Sequence, residues 1–139
     1  MTDGRYLVFA VTDQKYALAV EDVAEIMNLP ALYPLPKAPA YYRGLMNCHG
    51  RPIPVLDLAT LYKRVPLDKG GKILVLEGKT VTLALLVQRV IGIVSGLHSA
   101  DQEDGGDYGV ETSLSGDDGT IRLIEPEKLL ERLEAEING

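Results

Sequence analysis

The side chains best suited to chemistry are Cys48, His49, His98 and the acidic residues between Asp101 and Asp118. Thiolate and imidazole are both zinc ligands. Neighbours on a strand, however, project to opposite faces, so Cys48 and His49 are not expected to share an ion, and His98 is the only other imidazole. Asp101-x-Glu103 opens like an EF-hand loop with Gly106 at its sixth position. Gly105 then falls on a ligand position and Thr112 on that of the bidentate carboxylate, which argues against calcium. Ser113-Leu-Ser-Gly116 lacks the Gly-x-Ser-x-Gly elbow of a nucleophilic serine, and no glycine-rich phosphate loop occurs. No catalytic residue, metal or cofactor is therefore expected, and attention moves to binding surfaces.

The net charge of −6 argues against a general nucleic-acid binder, which would need a basic stripe. Seven acidic and no basic residues lie between Ser99 and Gly119, so 13 acidic face 14 basic residues elsewhere and the acidity belongs to one segment. That segment is expected to be a solvated, mobile loop. A single cysteine forms no internal disulfide, no stretch is long and apolar enough to span a membrane, and Met1-Thr-Asp-Gly-Arg5 lacks a secretory apolar run. A cytoplasmic protein is expected.

The elements that must position any site are organised by a repeat. Tyr16-Ala-Leu-Ala-Val-Glu-Asp-Val-Ala-Glu-Ile26 aligns without a gap with Leu83-Ala-Leu-Leu-Val-Gln-Arg-Val-Ile-Gly-Ile93, 67 positions later. The same offset pairs Leu7-Val8 with Leu74-Val75, and an offset of 68 pairs Ile53–Asp57 with Ile121–Glu125. Two copies of this length suggest paired subdomains rather than an array. We expect one domain over residues 1–139. Its first subdomain covers roughly residues 15–68 and its second roughly 72–124, with strand exchange at the termini and a shared core, since units of that size are marginal alone.

Tyr6–Val11 and Tyr16–Val20 read as a hairpin, and Glu21–Ile26 as a short helix because Val20, Val23 and Ile26 recur every three residues. Prolines make Leu29–Pro39 extended. Gly44–Asn47 and Ile53–Leu56 form a strand pair turned at Gly50, where Pro52 and Pro54 suggest an exposed or bulged edge. A short helix follows at Leu58–Tyr62, begun by Asp57 or a neighbour. The second copy supplies strands at Lys72–Leu76, Val81–Val87, Val90–Val94 and Thr120–Ile124. Pro126 opens a closing helix with an apolar stripe of Leu129, Leu130, Leu133 and Ile137.

Tyr6-Leu-Val-Phe9, Tyr16–Ile26, Leu35-Pro-x-Ala-Pro39, Gly44-Leu-Met-Asn-Cys-His-Gly-Arg-x-Ile-Pro-Val-Leu-Asp-Leu58 and Glu127-Lys-Leu-Leu130 closely resemble the CheW-like domain of bacterial chemotaxis. The resemblance covers nearly the whole chain. It implies a mainly β fold of two five-stranded, SH3-like barrels around a common core, with a C-terminal helix. It also implies a non-enzymatic adaptor that joins the cytoplasmic tip of a chemoreceptor to the regulatory domain of the CheA histidine kinase. Receptor helices would lie between the barrels, and the kinase domain at the barrel ends.

Val20, Val23, Glu25 and Gly44 match receptor- or kinase-facing positions of that family, and Ile26, Asn47 and His49 complete the candidate partner-binding set. His49 replaces the family's usual Arg. The exchange removes a permanently charged five-donor fork, and the resemblance then implies a weaker or pH-dependent pairing with Glu25. Gln88 stands where the family commonly has Asp, and Pro126 where it has an apolar residue.

Plainer readings stand beside these. Val20, Val23 and Ile26 suit a core-facing stripe as well as a groove, Glu25 a solvated acid, Gly44 and Gly50 backbone geometry, and His49 a turn. Two other functions fit: an auxiliary CheW-like adaptor of a non-flagellar pathway, and a ligand- or ion-sensing barrel.

Overall fold

The computed structural model describes residues 4–65, 70–77, 82–102, 107–116 and 119–138. The element order is β1 Tyr6–Val11, β2 Gln14–Ala19, a 3-10 turn at Val20–Asp22, β3 Val23–Asn28, β4 Tyr42–Cys48, β5 Arg51–Asp57 and α1 Leu58–Leu61. Then come β6 Lys72–Glu77, β7 Thr82–Val87, β8 Arg89–Val94, β9 His98–Gln102, β10 Val110–Gly116, β11 Gly119–Ile124 and α2 Pro126–Asn138. They build a six-stranded sheet, β8-β1-β2-β11-β10-β9, and a five-stranded sheet, β3-β6-β7-β5-β4. The fold is thus mainly β with two sheets, one carrying β9 beyond the five strands expected.

The repeat is reproduced down to register. Leu7 faces Leu18 and Ile93, while Leu74, 67 residues on, faces Leu85 and Ile26. Ala17 and Leu123 are partners in one parallel ladder, Ala84 and Val55 in the other. Each sheet draws strands from both copies: β8 pairs with β1 and β3 with β6.

The central strands are apolar on both faces because both faces are buried. Leu7, Phe9, Tyr16, Leu18, Leu74, Leu76, Leu83 and Leu85 meet in a core shared by the two sheets, closed by Leu58, Leu61, Leu129 and Leu133 from the helices. The alternate residues fill separate interiors. Val8, Ala17, Leu114 and Ile121 line that of the six-stranded sheet, and Met46, Cys48, Ile53, Val55, Ile73, Val75, Ala84 and Leu86 that of the five-stranded sheet.

Several local expectations change. Glu21–Ile26 is not a helix: after the short 3-10 turn the chain becomes β3, because pairing with β6 outweighs a weak three-residue periodicity. The strand bearing Pro52 and Pro54 is not an edge. β5 lies between β4 and β7, and the prolines are tolerated because the ladder to β7 starts only at Val55. Among its described residues the acidic segment forms β9 and β10 rather than a loop throughout. Asp107 turns inward, accepting hydrogen bonds from Tyr16 at 2.5 Å and Arg122 at 2.7 Å. Residues 103–106, Val81, Lys69 and the side chain of Ile137 lie outside the described residues.

Asp57 begins α1 as its N-cap, accepting from the Ala59 N–H at 3.1 Å, the Thr60 hydroxyl at 3.1 Å and Arg43 at 2.9 Å. A carboxylate this deeply buried is tolerated because its oxygens are met by donors, one of them charged. Among the described residues no helix is long and apolar enough to cross a membrane.

Two measurements test this architecture. Fragments 1–68 and 69–139, made separately, should each give collapsed NMR spectra and regain dispersion on mixing, because each sheet needs strands from both; a dispersed spectrum from either fragment alone would contradict the shared core. Burial, then the hydrogen bond to Asp107, raises the ionisation of Tyr16 well above that of a free phenol, with Arg64 opposing. A folded-state value above the unfolded value of about 10 leaves stability unaffected below that pH and makes it fall as pH rises beyond it. Denaturation midpoints should therefore drop above about pH 10, and less steeply in Tyr16→Phe; an identical slope would remove Tyr16 as a cause.

Candidate functional site

β3 and β4 are opposite edges of the five-stranded sheet. Curvature of that sheet brings them together at one end, where side chains rather than a ladder close the gap. The half-buried Glu25 carboxylate on β3 lies 2.9 Å from Nε2 of His49, at the tip of the β4–β5 hairpin. The Cys48 thiol, at the end of β4, donates weakly to the same Glu25 oxygen at 3.8 Å. Arg51 opens β5 beside them and reaches Glu77 at 3.1 Å on the end of β6.

The hairpin tip explains how neighbouring residues come to face one carboxylate. Cys48 pairs with Arg51, leaving the two-residue turn His49-Gly50 with φ of 53° and 83°. Positive φ at both positions belongs to the turn that matches strand twist. At His49 the chain has left the β region, so strand alternation no longer applies. The Asn47 side chain secures the turn by accepting from the Gly50 N–H at 2.9 Å. The premise that Cys48 and His49 must diverge is thus wrong. The signal was present in Asn47-Cys-His-Gly-Arg51, since a two-residue turn ending in Gly asks for positive φ at the residue before it.

Electrostatically this end is mixed. Burial pushes the Cys48 thiol up, and the adjacent Glu25 carboxylate adds to that as charge and as hydrogen-bond acceptor. Arg51 acts in the opposite sense, and Glu77 with Glu25.

The other candidates separate. Val20 sits in the 3-10 turn, and Val23 packs against the shared core. Ile26 is on the outward face of β3, 47% exposed. Gly44 serves the backbone, since at φ 145° its position would set a Cβ 2.4 Å from the Tyr33 carbonyl oxygen. That approach is needed because Tyr33 and Leu45 form an isolated bridge with two 2.8 Å hydrogen bonds. Tyr33, 60% exposed, borders a shallow depression of about 350 Å³ shared with Leu45, Met46, Asn47, Gly50 and Pro52. Of the seven candidates, Glu25 and His49 meet through their side chains and Val23 donates its backbone N–H to the Val20 carbonyl; Asn47 supports the first pair through the turn.

One surface was missed. β8 forms the edge of the other sheet and exposes Ile91 and Ile93, at 41% and 57%. Ile93 is the repeat counterpart of Ile26, so the alignment already pointed to it.

Fold and site together define a pseudo-symmetric, twin-sheet β scaffold with apolar side chains displayed on two equivalent sheet edges. The chain belongs to the CheW-like domain family, whose model matches residues 5–134. It is 31% identical to the Chemotaxis protein CheW of Thermotoga maritima over 63% of this chain and 59% of that protein. Protein FrzA of Myxococcus xanthus is 28% identical over 93% of this chain and 86% of its own. The Probable chemotaxis protein CheW of Rhizobium etli is 28% identical over 67% of this chain and 61% of its length. The chain thus spans about three-fifths of the CheW relatives it matches. The scaffolding protein TtCheW from Thermoanaerobacter tengcongensis has the same fold, with a TM-score of 0.79 at 23% identity covering 88% of this chain and 89% of that one.

Gly44→Ala should cost about 1–3 kcal/mol from backbone strain alone, with any loss of the Tyr33–Leu45 bridge added. Urea denaturation checks this, and an unchanged midpoint would mean that the close approach to Tyr33 is dispensable.

Proposed function

We propose that this protein is a non-enzymatic adaptor of a chemotaxis-type signalling system, coupling the cytoplasmic tip of a chemoreceptor to the regulatory domain of a CheA-type histidine kinase. The observation that carries this reading is the match of the CheW-like domain model to residues 5–134. The protein acts in the cytoplasm, where both partners present these domains.

Its mechanism is geometric. Two sheets locked by one core hold two docking surfaces in fixed register, so that a small shift of one partner is transmitted as a change in orientation of the other. The docking set is Val20, Val23, Glu25, Ile26, Gly44, Asn47 and His49, with distinct roles. Ile26 offers an exposed apolar anchor on an edge strand, the kind of group that carries interface affinity when a partner covers it. Glu25 and His49 form a polar rim. Gly44, Asn47 and the core-packed Val23 hold the surface in shape.

A second reading is an auxiliary adaptor of a non-flagellar pathway, favoured by His49 in place of the family's usual Arg. His49 engages Glu25 at 2.9 Å, so the acid has a partner within the chain. A ligand- or ion-sensing barrel is the less supported alternative, because the space between the two sheets is packed by their shared core; a cavity of about 400 Å³ beside Val8, Leu97, His98 and Ile121 is the feature that favours it.

Calorimetric titration in chelator-treated buffer, against a receptor tip and separately a CheA regulatory domain from the same organism, tests the proposal. Micromolar binding to both is expected, and a folded protein that binds neither would overturn it. Ile26→Asp should weaken binding to at least one partner by roughly tenfold, about 1.4 kcal/mol, with an unchanged melting temperature. Val23→Asp is a poorer probe because Val23 packs against the core. His49→Arg should strengthen receptor binding if the histidine merely weakens the usual contact; a loss would favour a different partner.

A further inference from the structure

We propose that Glu25, Cys48 and His49 form a binding site for one borderline-soft divalent metal ion, with zinc the best fit. Glu25 and His49 also belong to the proposed docking set, but the metal site does not depend on the adaptor reading.

Three donors of different chemistry converge from three positions in the fold: a carboxylate from β3, a thiol from the end of β4 and an imidazole from the hairpin tip. The carboxylate and imidazole atoms are 2.9 Å apart, the carboxylate and sulfur 3.8 Å, and all three donor atoms lie within 4.8 Å of one another. Zinc bonds of about 2.0–2.3 Å at tetrahedral angles require donor separations of about 3.3–3.7 Å. To admit an ion the imidazole and carboxylate must open by a few tenths of an ångström, and the sulfur and imidazole, within 4.8 Å of each other, must close by up to about an ångström. His49 is free to make that adjustment, with its side chain 76% exposed.

The donor set selects the class of ion. Calcium and magnesium take oxygen ligands in larger number, whereas thiolate and imidazole together favour zinc and its neighbours in the first transition row. Three protein ligands leave a fourth position for water. On binding, the Cys48 S–H bond breaks, a zinc–sulfur bond forms and one proton passes to solvent; nothing is oxidised or reduced. Carboxylate, thiolate and a neutral imidazole balance the two positive charges of the ion.

The position gives the ion a structural consequence. β3 and β4 share no ladder, so an ion held by both would tie the open edges of the five-stranded sheet together. A structural explanation of the cluster without metal also exists, since Glu25 already accepts from both neighbours. The two are separated by measurement.

The reduced, chelator-treated full chain would be titrated with cobalt(II), then zinc(II). One cobalt per chain is expected, with a thiolate-to-cobalt charge-transfer band and the strong d–d absorption of a four-coordinate ion, both lost on adding zinc. Zinc should raise the melting temperature. Cys48→Ser should abolish the charge-transfer band, and Glu25→Gln, which preserves side-chain shape, should weaken binding by roughly tenfold or more. Circular dichroism of each variant reports that it is folded. Absence of the charge-transfer band in the unmodified protein would overturn the proposal whatever the variants do. So would zinc affinity unchanged by Glu25→Gln, which would place the ion elsewhere on the acidic surface.

Discussion

Burial of four strands on both faces is the constraint on which the rest of this structure depends. β1, β2, β6 and β7 send alternate side chains into a core shared by the two sheets and the remainder into the interior of their own sheet. Such strands are apolar through their central residues, which leaves the polar residues to strand ends, edge strands and hairpin tips. β3 and β8 accordingly alternate between half-buried and exposed residues, while β7 is almost wholly buried. The shared core also makes the two sheets one mechanical body, as a scaffold holding two surfaces in register requires.

Exchange of strands between copies follows from the same packing. The third strand of each copy leaves its own hairpin and pairs with the other copy's first strand, with equivalent register at Leu7–Ile93 and Leu74–Ile26. The consequence is two related apolar edges, centred on Ile26 and Ile93. Symmetry stops at the end of the five-stranded sheet that carries Glu25. The five-stranded sheet closes through Glu25, Cys48 and His49, whereas the repeat places Gly92 opposite Glu25 in alignment, so the other sheet has no counterpart to that carboxylate.

Polar groups inside the molecule show how the helices are fastened to this frame. Asp57 combines helix capping with a charged partner in Arg43. Tyr16, stacked on Tyr62 with ring centres 5.1 Å apart, hydrogen-bonds Asp107, and Arg64 and Arg122 approach the same carboxylate. Asp107 belongs to the segment whose composition suggested a solvated loop. Once that acid is drawn against two guanidinium groups it anchors the start of β10, so composition alone misjudged it.

The sequence by itself determined the number and place of most strands, a helix start at Asp57 or a neighbour, the Pro126 helix start and the two-fold repeat. Those features rest on alternation, caps and turns that act over a few residues. It also contained more than a residue-by-residue reading extracts: Val23 and Ile26 align with Val90 and Ile93, and a strand for the second pair implies one for the first. Local spacing at β3 favoured a helix, and what the tertiary structure added to the hint in the repeat is its pairing with β6, some fifty residues away. Tertiary closure also decided that β5 is central and that Glu25 meets Cys48 and His49. That meeting requires positive φ in a two-residue turn and the curvature of a whole sheet, which no periodicity along the chain encodes.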